Sequence, residues 1–112
     1  MIVFLSGPYN NGDTARNVHD AIMYADAILK RGHIPFIPHL THFWHLVSPK
    51  LYEFWLEYDL KFLPFCDCVF RMVGYSKGAD KEVEAALKLG KHVYYYDIEE
   101  IPRKIKEVPY EN

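Results

Sequence analysis

The run from Asp67 to Gly90 constrains the fold of this chain more than any other segment. Asp67-Cys-Val-Phe-Arg-Met-Val-Gly-Tyr-Ser-Lys-Gly-Ala-Asp-Lys-Glu82 leads straight on to Leu89 and Gly90. It reads as a buried strand, a short Gly/Ser turn and then a helix. Positions three, four and seven apart on a helix share a face. For Glu82 those neighbours are Ala79, Ala85, Ala86 and Leu89, whereas Glu84 sits with Asp80, Lys81, Leu87 and Lys88. Glu82 therefore falls on the apolar stripe, where desolvation opposes its charge. One explanation is a carboxylate nucleophile or base at the carboxyl end of a strand, where open α/β sheets bind small molecules. The other is a partly buried Glu that caps backbone amides or pairs with a lysine.

The rest of the chain alternates in the same way. Ile2 to Ser6 is a short apolar run ending at Gly7-Pro8, and residues 7–13 form a polar loop. Thr14 to Arg31 carries Val18, Ala21, Ile22, Ala25, Ile28 and Leu29 at helical spacing. Asp13 or Thr14 is its cap, and Lys30-Arg31-Gly32 its stop. Ile34 to Ile37 is a second strand, and Pro35 and Pro38 push it toward an edge. His39 to Ser48 reads as an aromatic loop, and Pro49 to about Phe65 as a helix begun by Ser48-Pro49. Cys68 to Val73 is the third strand, Ala79 to Leu89 a helix closed by Gly90, and His92 to Tyr96 the fourth strand. Ile98 to Lys106 has the pattern of a short last helix, against which Pro102 argues.

This order predicts a parallel sheet with helices on both faces. The fold expected is α/β, a flavodoxin-like three-layer sandwich with a four- to five-stranded parallel sheet in the order 2-1-3-4. The switch point then lies between the first and third strands, so the loops at 7–13 and 74–78 open onto one crevice. Backbone amides and helix ends there favour an anionic group such as a phosphate. Each loop taken alone reads equally as a plain turn.

At 112 residues the chain is expected to be one domain, residues 1–112. Half of its residues are hydrophobic and 16% aromatic, which excludes a disordered chain. A net charge of −2 with dispersed basic residues disfavours nucleic-acid polymers and membrane surfaces, both of which need a concentrated basic field. The Met-Ile-Val-Phe-Leu start reads as a strand rather than a signal peptide, so a cytoplasmic location is expected. Cys66 and Cys68 are spaced to share a face of a strand, which suits reduced core thiols better than a disulfide or a zinc set.

Several motifs occur in order: Leu5-Ser-Gly-Pro-Tyr9, Trp55-Leu-Glu-Tyr-Asp-Leu60, Cys66-Asp67, then Ser76-Lys-Gly-Ala-Asp-Lys-Glu82 with Ala86 and Gly90-Lys91. Together they resemble the nucleoside 2-deoxyribosyltransferase superfamily, which includes the 2′-deoxynucleoside 5′-monophosphate N-hydrolases. The resemblance spans most of residues 2–97, and its last motif is the specific part. It implies a flavodoxin-like fold and cleavage of an N-glycosidic bond. Glu82 falls on the nucleophile and Asp59 on the aspartate that orients it or handles the leaving base. Ser76 falls where the hydrolases carry a phosphate-binding serine, which points to a 5′-phosphate. Ser6, Gly7, Tyr9 and Asn10 of the first loop, with His39, Gly78 and Ala79, complete the expected substrate-binding set. A tyrosine expected near the end of the first strand is Phe4, so a hydroxyl must come from elsewhere, with Tyr9 the candidate.

The residue types fit that chemistry. Displacing a base from C1′ passes through an oxocarbenium-like state, which a carboxylate stabilises and can capture as a glycosyl ester. A second acid, Asp59, can hold a proton for the leaving base. The alternatives are a deoxyribosyltransferase that hands the sugar to another base and a non-catalytic nucleotide-binding module. No cofactor and no metal are expected. His39, His42 and His45 could offer two ligands on one face if their stretch were helical, but they lack an acidic or Cys partner. His39, Phe43 and Trp44 are better suited to stack on a base or to pack. The expected partners are a small-molecule nucleotide or nucleoside and a second copy of the chain. Leu51, Tyr52, Trp55, Tyr58 and Phe62 supply the patch for such a homodimer or higher homo-oligomer.

Overall fold

Four parallel strands form one sheet in the order β2-β1-β3-β4, with β1 at Ile2–Ser6, β2 at Ile34–Phe36, β3 at Cys68–Arg71 and β4 at His92–Tyr95. The computed structural model describes residues 1–104. Its helices are α1 (Thr14–Lys30), α2 (Thr41–Val47), α3 (Tyr52–Leu60) and α4 (Lys77–Lys88). The topology is the flavodoxin-like α/β arrangement expected, with four strands.

Period-2 alternation in the central strands builds two cores. Val3, Leu5, Cys68 and Phe70 face Ala21, Ala25 and Ile28 of α1, with Ile101 closing the layer. Phe4, Val69 and Val93 face Ala86 of α4 and Leu63 on the other side. Register pairs Val3 with Cys68 and Ser6 with Arg71, which ends β1 and β3 at the same level. Their following loops therefore meet. Asn11 Nδ2 donates to the Tyr75 carbonyl across 3.1 Å, and a Cβ at Gly74 would run into Pro8, whose ring packs 2.7 Å from that point.

Local signals set most boundaries. Asp13 caps α1 through the Arg16 amide, and Gly32 at φ 90° follows its end. Pro35 sits in β2, which among the described residues pairs only with β1 and is the edge strand expected.

Other boundaries differ from the sequence reading. The stretch at 38–48, expected as a loop, is a 3-10 turn at Pro38–Leu40 followed by α2. Pro38 presets the turn, Thr41 Oγ1 donates to the Pro38 carbonyl at 2.9 Å, and two histidines tie the helix down. His42 Nδ1 lies 2.7 Å from the Tyr9 hydroxyl, and His45 Nδ1 accepts from Trp55 Nε1 at 2.9 Å. The helix expected from Pro49 to Phe65 starts three residues late, because Lys50 N donates to His45 Nδ1 and Leu51 is extended. It stops at Leu60 and gives way to a 3-10 turn at Leu63–Phe65, since Pro64 cannot continue an α-helix.

β3 stops at Arg71, ahead of Gly74 at φ 118°, and α4 begins at Lys77 rather than Ala79, because Ser76 caps it. β4 ends at Tyr95, with Tyr96 at φ 64°. The tail makes one 3-10 turn at Ile98–Glu100 before Pro102, and residues 105–106 of the helix expected there lie outside the described residues. The two thiols are free and buried but belong to opposite layers, because Cys66 still closes the preceding turn and only Cys68 is in the strand.

Candidate active site

Three elements converge at the carboxyl ends of β1 and β3. The last residue of β1 is Ser6, the second turn of α4 supplies Glu82, and the end of α3 supplies Asp59. All three are buried, at 0%, 6% and 6% exposure. Glu82 reaches this place because Ala79 and Ala86 on its stripe let α4 lie close on the sheet. Asp59 is carried in by Trp55 one turn earlier, which is itself buried. Between them lies an inner cavity of about 40 Å³, whose walls include Gly7, His39, Tyr52, Trp55, Asp59 and Glu82. Tyr9, Tyr52 and Trp55 also border a wider pocket of about 350 Å³ that Asn10, His42 and Lys50 line.

Burial dominates the electrostatics. It raises the Glu82 carboxyl to about 8, an effect opposed by the Ser6 hydrogen bond and the Arg71 charge and reinforced by Asp59. It also raises Asp59 to about 7. With Glu82 raised above Asp59, the proton that the pair keeps near neutral pH resides mainly on Glu82, and the two titrate as a coupled unit. Ser6 Oγ lies 2.8 Å from Glu82 Oε1, whereas Asp59 Oδ1 is sealed from water and has no hydrogen-bond partner among the described residues.

His39 contributes the second orphan. Its Nε2 sits 2.9 Å from the Pro8 carbonyl, an acceptor only, so Nε2 carries the proton and Nδ1 is left as a bare acceptor. Burial lowers the His39 pKa and keeps the ring neutral. Native interiors rarely leave two such atoms unmatched, and both residues line the same cavity. A ligand that offers an N–H or O–H to each would satisfy them.

The remaining expected residues divide. Gly7, Tyr9, His39, Ala79, Asp59 and Glu82 line the inner cavity, and Asn10 lines the outer pocket. The Tyr9 hydroxyl is turned to His42, so the hydroxyl on Glu82 comes from Ser6. Ser76 and Gly78 lie behind the cavity wall. Ser76 Oγ accepts from the Ala79 amide at 3.0 Å as the cap of α4, and it lies near enough to the Tyr52 hydroxyl to pull that pKa down against the burial that raises it. A Cβ at Gly78 would collide with that same Tyr52 hydroxyl, so the glycine is the seat of the ring.

Sequence reasoning missed Tyr52 as a site residue and missed Arg71. Burial raises the Tyr52 pKa first, and the Glu82 charge adds to it. Arg71 is buried at the end of β3, where it donates to the carbonyls of Met72 and Gly74 and pairs with Asp80 at 3.2 Å. A lone arginine within the apolar run Cys68-Val-Phe-Arg-Met-Val73 was the available signal. Among the described residues no group of three or more His, Cys, Asp or Glu is placed to hold a metal, and each of His42 and His45 has one ring nitrogen engaged within the protein.

Fold and site together define a flavodoxin-like α/β domain with a buried carboxylate pair at its switch point. The chain belongs to the family described as a domain of unknown function, DUF7768, whose model matches residues 1–96. No curated protein matches it. Among solved structures it is similar to a 2-deoxyribosyltransferase from the psychrotolerant bacterium Bacillus psychrosaccharolyticus, with 22% identity and a TM-score of 0.61. The match covers 85% of this chain and 71% of that one, and at this identity the likeness is one of fold. No helix among the described residues is long and apolar enough to cross a membrane.

Proposed function

We propose that the protein cleaves the N-glycosidic bond of a deoxynucleoside 5′-monophosphate or a related nucleoside through a glycosyl ester on Glu82. The observation that carries this reading is the unequal carboxylate pair in one cavity. Glu82 has a hydroxyl donor and a nearby guanidinium, while Asp59 is raised by burial alone. Ser6 and the guanidinium thus favour the Glu82 carboxylate against a burial that still sets its pKa above that of Asp59. The attacking species is the form of the pair in which Asp59 carries the proton, the division of labour that glycosidic cleavage requires. The fold shared with a 2-deoxyribosyltransferase supports the same class of chemistry.

In the first step a Glu82 oxygen bonds to C1′ while the C1′–N bond breaks. The base leaves with the electron pair and takes the proton from Asp59. In the second step water attacks C1′, its proton returns to the Asp59 carboxylate, and the Glu82 carboxylate is released. The inner cavity is small for a whole nucleotide, so the substrate spans both pockets, with Tyr9, Tyr52 and Trp55 as shared walls.

A second reading, transfer of the deoxyribose to another base, is favoured by one observation. The Ser76 oxygen is committed to the cap and Tyr52 covers Gly78, so a phosphate would have to displace the ring to reach that serine. Incubation with a panel of nucleosides and 5′-monophosphates, with and without a second base, separates the two. Release of free base from monophosphates supports the hydrolase, and base exchange on free nucleosides supports the transferase. The absence of either with every substrate would refute both.

A further inference from the structure

The Ser6 hydroxyl has one proton and two acceptors in reach, Glu82 Oε1 at 2.8 Å and the Ala79 carbonyl at 3.3 Å. Ser6 is fully buried and is not among the residues that line the inner cavity. It stands behind Glu82 and meets the substrate only through it. Glu82 Oε2 makes no hydrogen bond within the described residues, and Glu82 itself forms part of the cavity wall. The groups that act on Glu82 are few. Asp59 of α3 is a second carboxyl, Arg71 at the end of β3 is a cation, and Tyr52 of α3 and His39 of the Pro38–Leu40 turn are neutral partners across the cavity. Among the described residues only Ser6 donates a side-chain hydrogen bond to the carboxylate.

We propose that the Ser6 hydroxyl is the positioning group of this site: it fixes Glu82 Oε1, favours the Glu82 carboxylate over its acid, and leaves Oε2 as the attacking oxygen. The proposal rests on the glycosidase reading for its catalytic half. A hydroxyl that donates to an anion stabilises that anion, and it does so more strongly in a buried site than in water. Asp59 Oδ1 has no donor, so a charge placed there stays uncompensated. When Oε2 bonds to C1′ the carboxylate charge disappears, and the Ser6 hydroxyl can rotate toward the Ala79 carbonyl. When water cleaves the ester the hydroxyl turns back. The second acceptor at 3.3 Å keeps the buried hydroxyl satisfied in both states.

The test uses carboxyl-¹³C NMR titration of the intact protein, with Glu82→Gln and Asp59→Asn spectra to assign the two resonances. Ser6→Ala should move the Glu82 midpoint up by about one to two pH units and the Asp59 midpoint down, as expected for a lost hydrogen bond to a charged group. In kinetics the same variant should lose about 10- to 100-fold in kcat near neutral pH with KM little changed. Ser6→Cys keeps the volume but donates weakly, so it should follow Ser6→Ala. Unmoved midpoints in Ser6→Ala would overturn the proposal, as would midpoints that move in the same direction. Wild-type behaviour of Ser6→Cys would overturn it too, because volume would then explain the position. Opposed NMR shifts in a protein that releases no base from any substrate would support the hold of Ser6 on Glu82 and refute the glycosidase reading.

Discussion

Replacing Glu82 by Gln should stabilise the fold while it removes activity, and the size of the gain follows from the burial of the carboxyl. The Glu82 pKa rises from 4.5 to about 8 on folding, so the native state binds a proton that the unfolded chain has released. That mismatch costs nothing below pH 4.5 and grows as the pH rises toward 8, where the folded carboxyl must also ionise. At one pKa unit per ~1.4 kcal/mol, the penalty is about 3 kcal/mol at pH 7 and on the order of 5 kcal/mol above pH 8. Gln keeps the shape and can still accept from Ser6, but it carries no charge to desolvate. Urea unfolding of both proteins from pH 5 to pH 9 is the assay. Wild-type stability should fall across the window, and Glu82→Gln should show a smaller slope, the remainder coming from Asp59. Near pH 8 the variant should melt roughly 10 °C or more higher, given ~4–8 °C per kcal/mol for a domain of this size. Parallel pH profiles, or a variant less stable than wild type at pH 8, would show that the carboxyl is not desolvated as the fold requires.

Four further outcomes follow from the same geometry. Glu82→Ala should reduce base release by roughly 10⁴-fold, by comparison with nucleophile deletions elsewhere, whereas Glu84→Ala on the exposed face should change turnover little; similar losses at the two positions would remove Glu82 from the chemistry. Ser76→Ala should cost about 1 kcal/mol of stability through the lost cap of α4, and if the serine also holds a phosphate, monophosphate binding should weaken selectively against the matching nucleoside; paired calorimetric titrations separate these effects. Gly78→Ala should displace Tyr52 and perturb substrate binding, which Gly78→Ala with Tyr52→Phe should partly restore if the hydroxyl is the obstacle. Light scattering at micromolar concentration should find a homodimer, and a fully active monomer would overturn that expectation. The patch for it differs from the one read in the sequence: Trp55 is buried and Tyr52 lines the cavity, while Leu51, Phe54 and Phe62 are exposed beside Phe43, Trp44, Leu46 and Val47 of α2.

Elements whose cause is local were legible without coordinates. β1 and α1 begin where apolar runs and the Asp13 cap place them, and Pro35 marks the edge strand through chemistry carried by the residue itself. Helical spacing alone also placed Glu82 on the inward stripe of α4, because periodicity is a property of the chain. The structure around α2 and α3 was not legible. Whether residues 41–47 coil depends on His42 reaching Tyr9 and His45 reaching Trp55, contacts across 33 and 10 residues that no local propensity encodes. The facing of Cys66 and Cys68 likewise depends on where a turn ends and a strand starts. The site divides along the same line. Sequence supplied the acids, but only the tertiary structure decided that Ser6 stands behind Glu82, that Asp59 and His39 are left with unmatched atoms, and that Ser76 is held beneath Tyr52. Hydrogen bonding and desolvation depend on distances between segments, and those distances exist only once the sheet has brought the ends of β1 and β3 to one level.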